Sequence, residues 1–289
     1  MLEFWGRGVI AGVTTAVTMT GGYPVVPALL QAKSRNQSML ARLSSADLLR
    51  EWLSGLVCAV MRPSGFLHLP GSKLCGKRPI ILVHGYVMGR SCFRVLATRL
   101  ARAGLGPING FEYWSLGSIA DAATGLAQTV AQVQRQTGMQ HVDLIGHSMG
   151  GLVCRYYASI ESGADSIGKL ITLATPHFGT AHSILGVGRA RRELKAGSPL
   201  LTRMAQAPIP PCVDVTVVSS KCDVLAGEQR HAHLDGAESV RIDRVNHLEM
   251  LLDHEVAAIV IERLNRPLNR LQSDASNRTR TIGREQSRT

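Results

Sequence analysis

The sequence predicts an α/β protein in which a mostly parallel sheet of about six strands is covered by helices on both faces. Three observations predict it. Short apolar runs such as Pro79-Ile80-Ile81-Leu82-Val83 alternate with longer stretches of helical spacing, the βα rhythm of a parallel sheet. Hydrophobic residues make up 45% of the chain and aromatics only 4%, so a large core is available and aliphatic side chains must fill it. The residues capable of chemistry gather just after the apolar runs, where such sheets build their sites.

The elements follow in order. Ser44 or Ser45 can cap a helix that runs to about Val60 and is ended by Pro63. A turn-rich basic linker over 63–79 leads into the first strand, 79–83. Residues 91–103 have helical spacing and stop at Gly104. A strand is expected near 106–113, then a long helix from about Ser118 to Gln136, closed by Gly138. Residues 141–145 read as a strand and 149–160 as a helix. Further strands are expected at 169–174, 213–219 and 238–245, and a last helix at 248–264. The chain therefore divides into an apolar N-terminal segment (1–35), a helical extension and linker (36–78), the domain that carries the chemistry (79–264) and a polar, basic tail (265–289) expected to be disordered.

Residues 8–32 carry no charge and lie between Arg7 and Lys33, long enough to span a bilayer. Four Thr, four Gly and two Pro keep the segment only modestly hydrophobic, and no clear small-x-small cleavage site follows. The expectation is weak membrane association through the N-terminus, ahead of an apolar extension packed on a cytoplasmic protein and of an export signal. The formal net charge is +11, with much of the excess between Arg263 and Arg288 and in a cluster of Arg189, Arg191, Arg192 and Lys195. No nucleic-acid-binding motif accompanies it, so the charge implies a solvated surface or attraction to an anionic membrane, not nucleic acid. Six cysteines (58, 75, 92, 154, 212 and 222) lack C-x-x-C or zinc-ligand spacing and read as reduced core or lining thiols.

After the strand 141–145 comes Gly146-His147-Ser148-Met149-Gly150, a G-x-S-x-G element between a strand and a helix. A serine there sits on a sharp turn that lifts its hydroxyl clear of the sheet. Its neighbours two before and two after must be glycine, because strand and helix backbones pass close. The turn also opens a helix, so unpaired N–H groups lie beside the nucleophile. A serine needs a base, and a tetrahedral intermediate needs oxyanion donors. One donor is expected from the Met149 N–H. The second should come from Tyr86, with Val87 as the fallback, in the glycine-flanked turn His84-Gly85-Tyr86-Val87-Met88-Gly89.

ILVHGY at 81–86, DLIGHSMGGLVCRYY at 143–157, LATPHFGT at 173–180, SKCD at 220–223 and VNHLEML at 245–251 together resemble the α/β-hydrolase superfamily, and specifically its bacterial lipase-like members. The resemblance covers about residues 79–264. It implies a Ser-Asp-His triad in that order, no metal and no organic cofactor, and a carboxylic ester, such as a lipid or acyl ester, as substrate. Strands that precede the HG strand in larger hydrolases are missing, and the short crossover between about 174 and 213 leaves room for a small lid only. Asp223 follows the strand 213–219 and so lies at the C-terminal end of the sheet with Ser148, whereas Asp214 begins that strand, about 20 Å away by strand rise. Asp143 is excluded in the same way. His247 follows the last strand and is the expected base. His254 lies too far along the last helix, and His231 and His233 compete from the loop after the acid. His177 and His182 read as loop and surface residues. The same residues would serve an acyltransferase, in which an alcohol resolves the acyl-enzyme, and the fold alone would also suit a non-catalytic membrane-associated scaffold.

Overall fold

The computed structural model of the protein describes residues 45–61, 68–71, 77–180, 187–223, 225–226 and 234–268. The apolar segment 8–32, Cys75, His182, His231, His233 and the tail beyond 268 lie outside the described residues. The described elements are α1 (Ser45–Val60), β1 (Ile80–Val83), α2 (Arg94–Arg102), β2 (Ile108–Phe111), α3 (Ile119–Thr137), β3 (Val142–His147), α4 (Met149–Ser159), β4 (Ile167–Leu173), α5 (Gly188–Glu193), α6 (Pro199–Gln206), β5 (Asp214–Ser220), β6 (Glu238–Ile242) and α7 (His254–Asn265).

The six strands form one sheet in the order β2-β1-β3-β4-β5-β6, and every pairing is parallel. The sheet that was expected to be mostly parallel is entirely so. The inner strands β1, β3 and β4 are buried on both faces, whereas the edge strand β6 exposes Glu238, Ser239 and Arg241, and in β1 the two-residue period sorts the side chains. Ile80 and Leu82 join a core with Cys58 of α1, Leu96 and Leu100 of α2, and Val256 and Val260 of α7. Ile81 and Val83 join a second core with α3, α4, Ala190 of α5 and Leu201 and Met204 of α6. The chain leaves β1 for β2 on one side and returns to place β3 on the other. The strand order therefore reverses between β1 and β3, the place where open parallel sheets build their sites at the C-terminal strand ends.

Local chemistry sets the helix limits. The Ser118 hydroxyl accepts the Ala120 N–H at 3.2 Å to start α3, and Gly138 ends it at φ 69°. The continuous helix expected over 248–264 is instead a 3₁₀ turn at Glu249–Leu251 followed by α7. The break falls at Asp253, whose carboxylate caps α7 by accepting the Glu255 and Val256 N–H groups. The stretch 91–103 likewise opens as a 3₁₀ turn, Arg90–Phe93, before α2.

Candidate active site

Ser148 stands between β3 and α4 at φ 54°, ψ −125°, a conformation costing on the order of 1–3 kcal/mol for a residue with a side chain. Its surroundings hold it there. The Ser148 N–H donates to the Leu173 carbonyl at 2.8 Å, so the pairing of β3 with β4 continues through the serine itself. A Cβ on Gly150 would come within 2.1 Å of the Val83 carbonyl oxygen, and one on Gly146 within 2.5 Å of the Gly151 Cα. Neither space admits a side chain, so these two glycines let strand and helix cross at the turn.

The residues expected as base and acid come from the loops after β6 and β5. His247 Nδ1 donates to both Asp223 oxygens, at 3.0 and 2.9 Å, and both residues are buried. Asp223 also accepts the Leu225 and Ala226 N–H groups at 3.0 and 2.9 Å. Burial alone would raise its pKa. The attraction and hydrogen bond of His247, with the Ala226 N–H, outweigh burial and leave the carboxyl below its ordinary value. For His247 burial favours the neutral ring, but Asp223 and, more weakly, Glu51 reverse this and raise its pKa. With Nδ1–H committed to the carboxylate, Nε2 is the nitrogen left to accept a proton.

His147 ties this loop to the elbow. Its Nε2–H donates to the His247 carbonyl at 3.0 Å, and the two rings lie 4.8 Å apart. Burial pushes the pKa of His147 down to about 3, so the ring is a neutral tether. His247 is thereby packed against the residue that precedes Ser148. The variable position of a G-x-S-x-G pattern gives no hint of this role.

The turn after β1 closes through the Met88 N–H and the Gly85 carbonyl at 3.3 Å, with Val87 at φ 55°. The Val87 N–H is occupied by the Ser115 hydroxyl at 3.0 Å. The Tyr86 and Met149 N–H groups have no acceptor among the described residues, so of the two expected alternatives only Tyr86 keeps its N–H open to a ligand. A Cβ on Gly85 would lie 3.0 Å from Ser148 Cβ, so this turn rests directly on the serine. The Tyr86 side chain has a separate task. Its hydroxyl donates to the Val187 carbonyl at 2.7 Å and accepts the Val187 N–H at 2.6 Å, pinning the entry to α5.

The remaining candidates lie elsewhere. Asp214 pairs with Lys169 Nζ at 2.6 Å, and Asp143 takes Arg78 Nε at 2.9 Å, both at the N-terminal end of the sheet. The His254 side chain is 76% exposed beside Asp253. His177 corrects the surface reading, because it lies in a loop but is 1% exposed. Its Nε2 pairs with the Thr172 hydroxyl at 3.1 Å, and its carbonyl accepts from the buried Arg155. Arg155 also donates to the Met204 carbonyl, tying α4 to the β4–β5 crossover. Cys58, Cys92 and Cys154 are buried thiols outside any disulfide, and Cys212 and Cys222 are partly buried, with Cys222 Sγ donating to the Asp243 carbonyl at 3.1 Å.

A doubly covered parallel sheet with a strained serine at its switch point defines the α/β-hydrolase fold. Residues 117–185 match the family described as a PGAP1-like alpha/beta domain. Among solved structures, the chain is similar to the mature form of a Bacillus licheniformis lipase, with a TM-score of 0.59 and 15% identity over 65% of this chain and 92% of that one. It is also similar to Aspergillus fumigatus lipase B, with a TM-score of 0.58 and 14% identity over 70% of this chain and 56% of that one. An esterase from Exiguobacterium antarcticum aligns with a TM-score of 0.50 and 16% identity over 66% of this chain and 93% of that one. At these identities the likeness is one of fold.

Proposed function

We propose that the protein is a serine hydrolase that cleaves carboxylic esters through an acyl-enzyme. The observation that carries the reading is the His247–Asp223 pair, buried and bonded at 2.9–3.0 Å, packed against the elbow that holds Ser148 in a strained turn. Ser148 Oγ attacks the ester carbonyl as its proton passes to His247 Nε2. The Tyr86 and Met149 N–H groups receive the oxyanion, and His247 returns the proton to the departing alkoxide. Water, deprotonated by the same imidazole, then releases the acid. No step calls for a metal or an organic cofactor.

A lipid or acyl ester at an interface is the substrate class this reading favours. Its support is the similarity in fold to proteins described as lipases and an esterase, the net charge of +11, and a row of exposed apolar side chains on α1 (Leu49, Leu53, Leu56, Val57 and Val60). Weak membrane attachment through residues 8–32 belongs to the same proposal. Among the described residues no helix is long and apolar enough to cross a membrane. Two measurements test the function. A fluorophosphonate probe should label the wild type at Ser148. Hydrolysis of p-nitrophenyl esters from acetate to palmitate, with and without detergent, should then show long-chain preference and interfacial activation. Absence of labelling and of turnover on every ester would refute the hydrolase, and a short-chain optimum would refute the lipid substrate.

A further inference from the structure

Helix α1 precedes the first strand, yet it reaches the site. Glu51 on its inner face is 5% exposed, and its two oxygens accept the Leu248 N–H at 3.3 and 3.2 Å. That peptide group directly follows His247. The helix is seated by further contacts to the same loop. Arg50 donates to the Glu249 carboxylate at 2.8 and 2.9 Å and to the Arg244 carbonyl at 2.9 Å. Gly55 faces Leu248, where an added Cβ would stand 3.4 Å from the Leu248 Cδ1. A buried carboxylate costs stability unless it is paired, and the pairing of Glu51 is a long hydrogen bond to one N–H. An apolar residue would leave the Leu248 N–H without its acceptor, but a neutral amide would serve that N–H as well, so packing does not account for the carboxylate itself.

We infer that Glu51 is a positioning residue for the proposed His247 base, holding the backbone that carries the imidazole and setting its basicity through a second carboxylate beside Asp223. The inference rests on the hydrolase reading above. The groups that face Glu51 are His247 and Asp223 from the loops after β6 and β5, Glu249 from the 3₁₀ turn, and Cys58 on its own helix. Burial pushes the Glu51 carboxyl up to about 7, against the opposing pull of His247. Above that pH the site holds two anions around one imidazole. When Ser148 Oγ bonds to the carbonyl carbon and its proton moves to Nε2, the imidazolium formed is opposed by both charges, which favours the transfer. Below that pH Glu51 is neutral, and Asp223 acts alone.

The test uses the full chain with Glu51→Gln, which keeps an oxygen for the Leu248 N–H and removes the charge. We expect kcat at pH 8 to fall about 3- to 10-fold with KM nearly unchanged. The acid limb of kcat/KM should move to lower pH, since His247 loses an anion that raises its pKa. Arg50→Met, which loosens the helix but leaves Glu51 charged, should lower Tm without moving the limb. The His247 Cε1–H resonance, followed by NMR in a Ser148→Ala background, reads the same shift without turnover. A Glu51→Gln profile and titration that superimpose on those of the parent would overturn the inference. If Glu51→Gln does not fold, Glu51→Asp must keep the acid limb while losing turnover, and wild-type turnover there would equally overturn it. Failure of the hydrolase reading shows separately, as a Ser148 that no fluorophosphonate labels.

Discussion

Both ends of the sheet hold buried carboxylates, and the two ends treat them differently. At the N-terminal end Asp143 accepts Arg78 Nε at 2.9 and 3.0 Å and the Lys169 N–H at 3.0 Å, while Asp214 takes Lys169 Nζ at 2.6 Å. The guanidinium and the ammonium are both spent on carboxylates there, so the cluster ties β3, β4 and β5 to one another. At the C-terminal end the described partners of Asp223 are an imidazole and two N–H groups, and that of Glu51 is one N–H. There a proton can change hands. A displaced pKa does not by itself separate the two ends. Burial holds the Asp143 carboxyl above its ordinary value despite Arg78, while Asp223, equally buried, lies below. What separates them is the kind of partner, a guanidinium and an ammonium at one end and an imidazole at the other.

The largest expected effect breaks the comparison at Ser148. Ser148→Ala should fold and lose ester turnover by at least ~10³-fold, since the members of a triad act as a unit. Retained turnover in purified variant would remove the C-terminal cluster from the chemistry. Next, His247→Ala and Asp223→Asn should each cost ~10²- to 10⁴-fold. Asp214→Asn should stay within a few-fold in rate but lose about 1–3 kcal/mol in urea unfolding, because Lys169, 2% exposed, is left without its counter-charge. Equal rate losses at both ends would show the distinction to be empty.

The pH profile sharpens the contrast. The proposed base works as free imidazole and its pKa is raised, so the acid limb of kcat/KM should have its midpoint above 6.5. Asp223→Asn removes a carboxylate that raises it, and the limb should move to lower pH. Asp143→Asn should leave the limb in place. A wild-type midpoint at or below 6.5 would contradict the assignment. The smallest effect belongs to Tyr86→Phe, which keeps the backbone N–H and deletes both hydroxyl contacts with Val187. We expect KM to rise about 2- to 5-fold with kcat nearly unchanged. A loss confined to kcat would mean that the hydroxyl, not the peptide N–H, serves the reaction.

The parts of the molecule legible in the sequence are those that local pattern dictates. Four-residue apolar β1 and the run into β3 announce buried strands, and Ser148, Asp223 and His247 stand out because each follows a strand in a βα array. Contacts between distant segments left no such pattern. Glu51 reaches Leu248 across 197 residues, and an acid on an amphipathic helix reads as solvated. His147 faces His247 across 100 residues from a position that the motif leaves open. His177 departs from the rule that loops are exposed because Arg155 and Thr172 draw this one inward. The helical spacing over 248–264 hides the break at Asp253, whose carboxylate is spent on a cap.

The hydrogen bond from the Ser148 amide to the Leu173 carbonyl has a consequence for motion. The elbow is strained, and strained turns are often the first parts of a protein to open. This one is part of the sheet, joined to β4 by the same ladder that links Ile145 with Ile171 and His147 with Leu173. Its amide proton can therefore exchange with solvent only when the central strands separate, at a rate set by opening of the core. The Tyr86 and Met149 amides, which have no protein acceptor among the described residues, should exchange far sooner. The backbone of the strained serine is thus tied into the sheet, while the two amides beside it have no acceptor among the described residues.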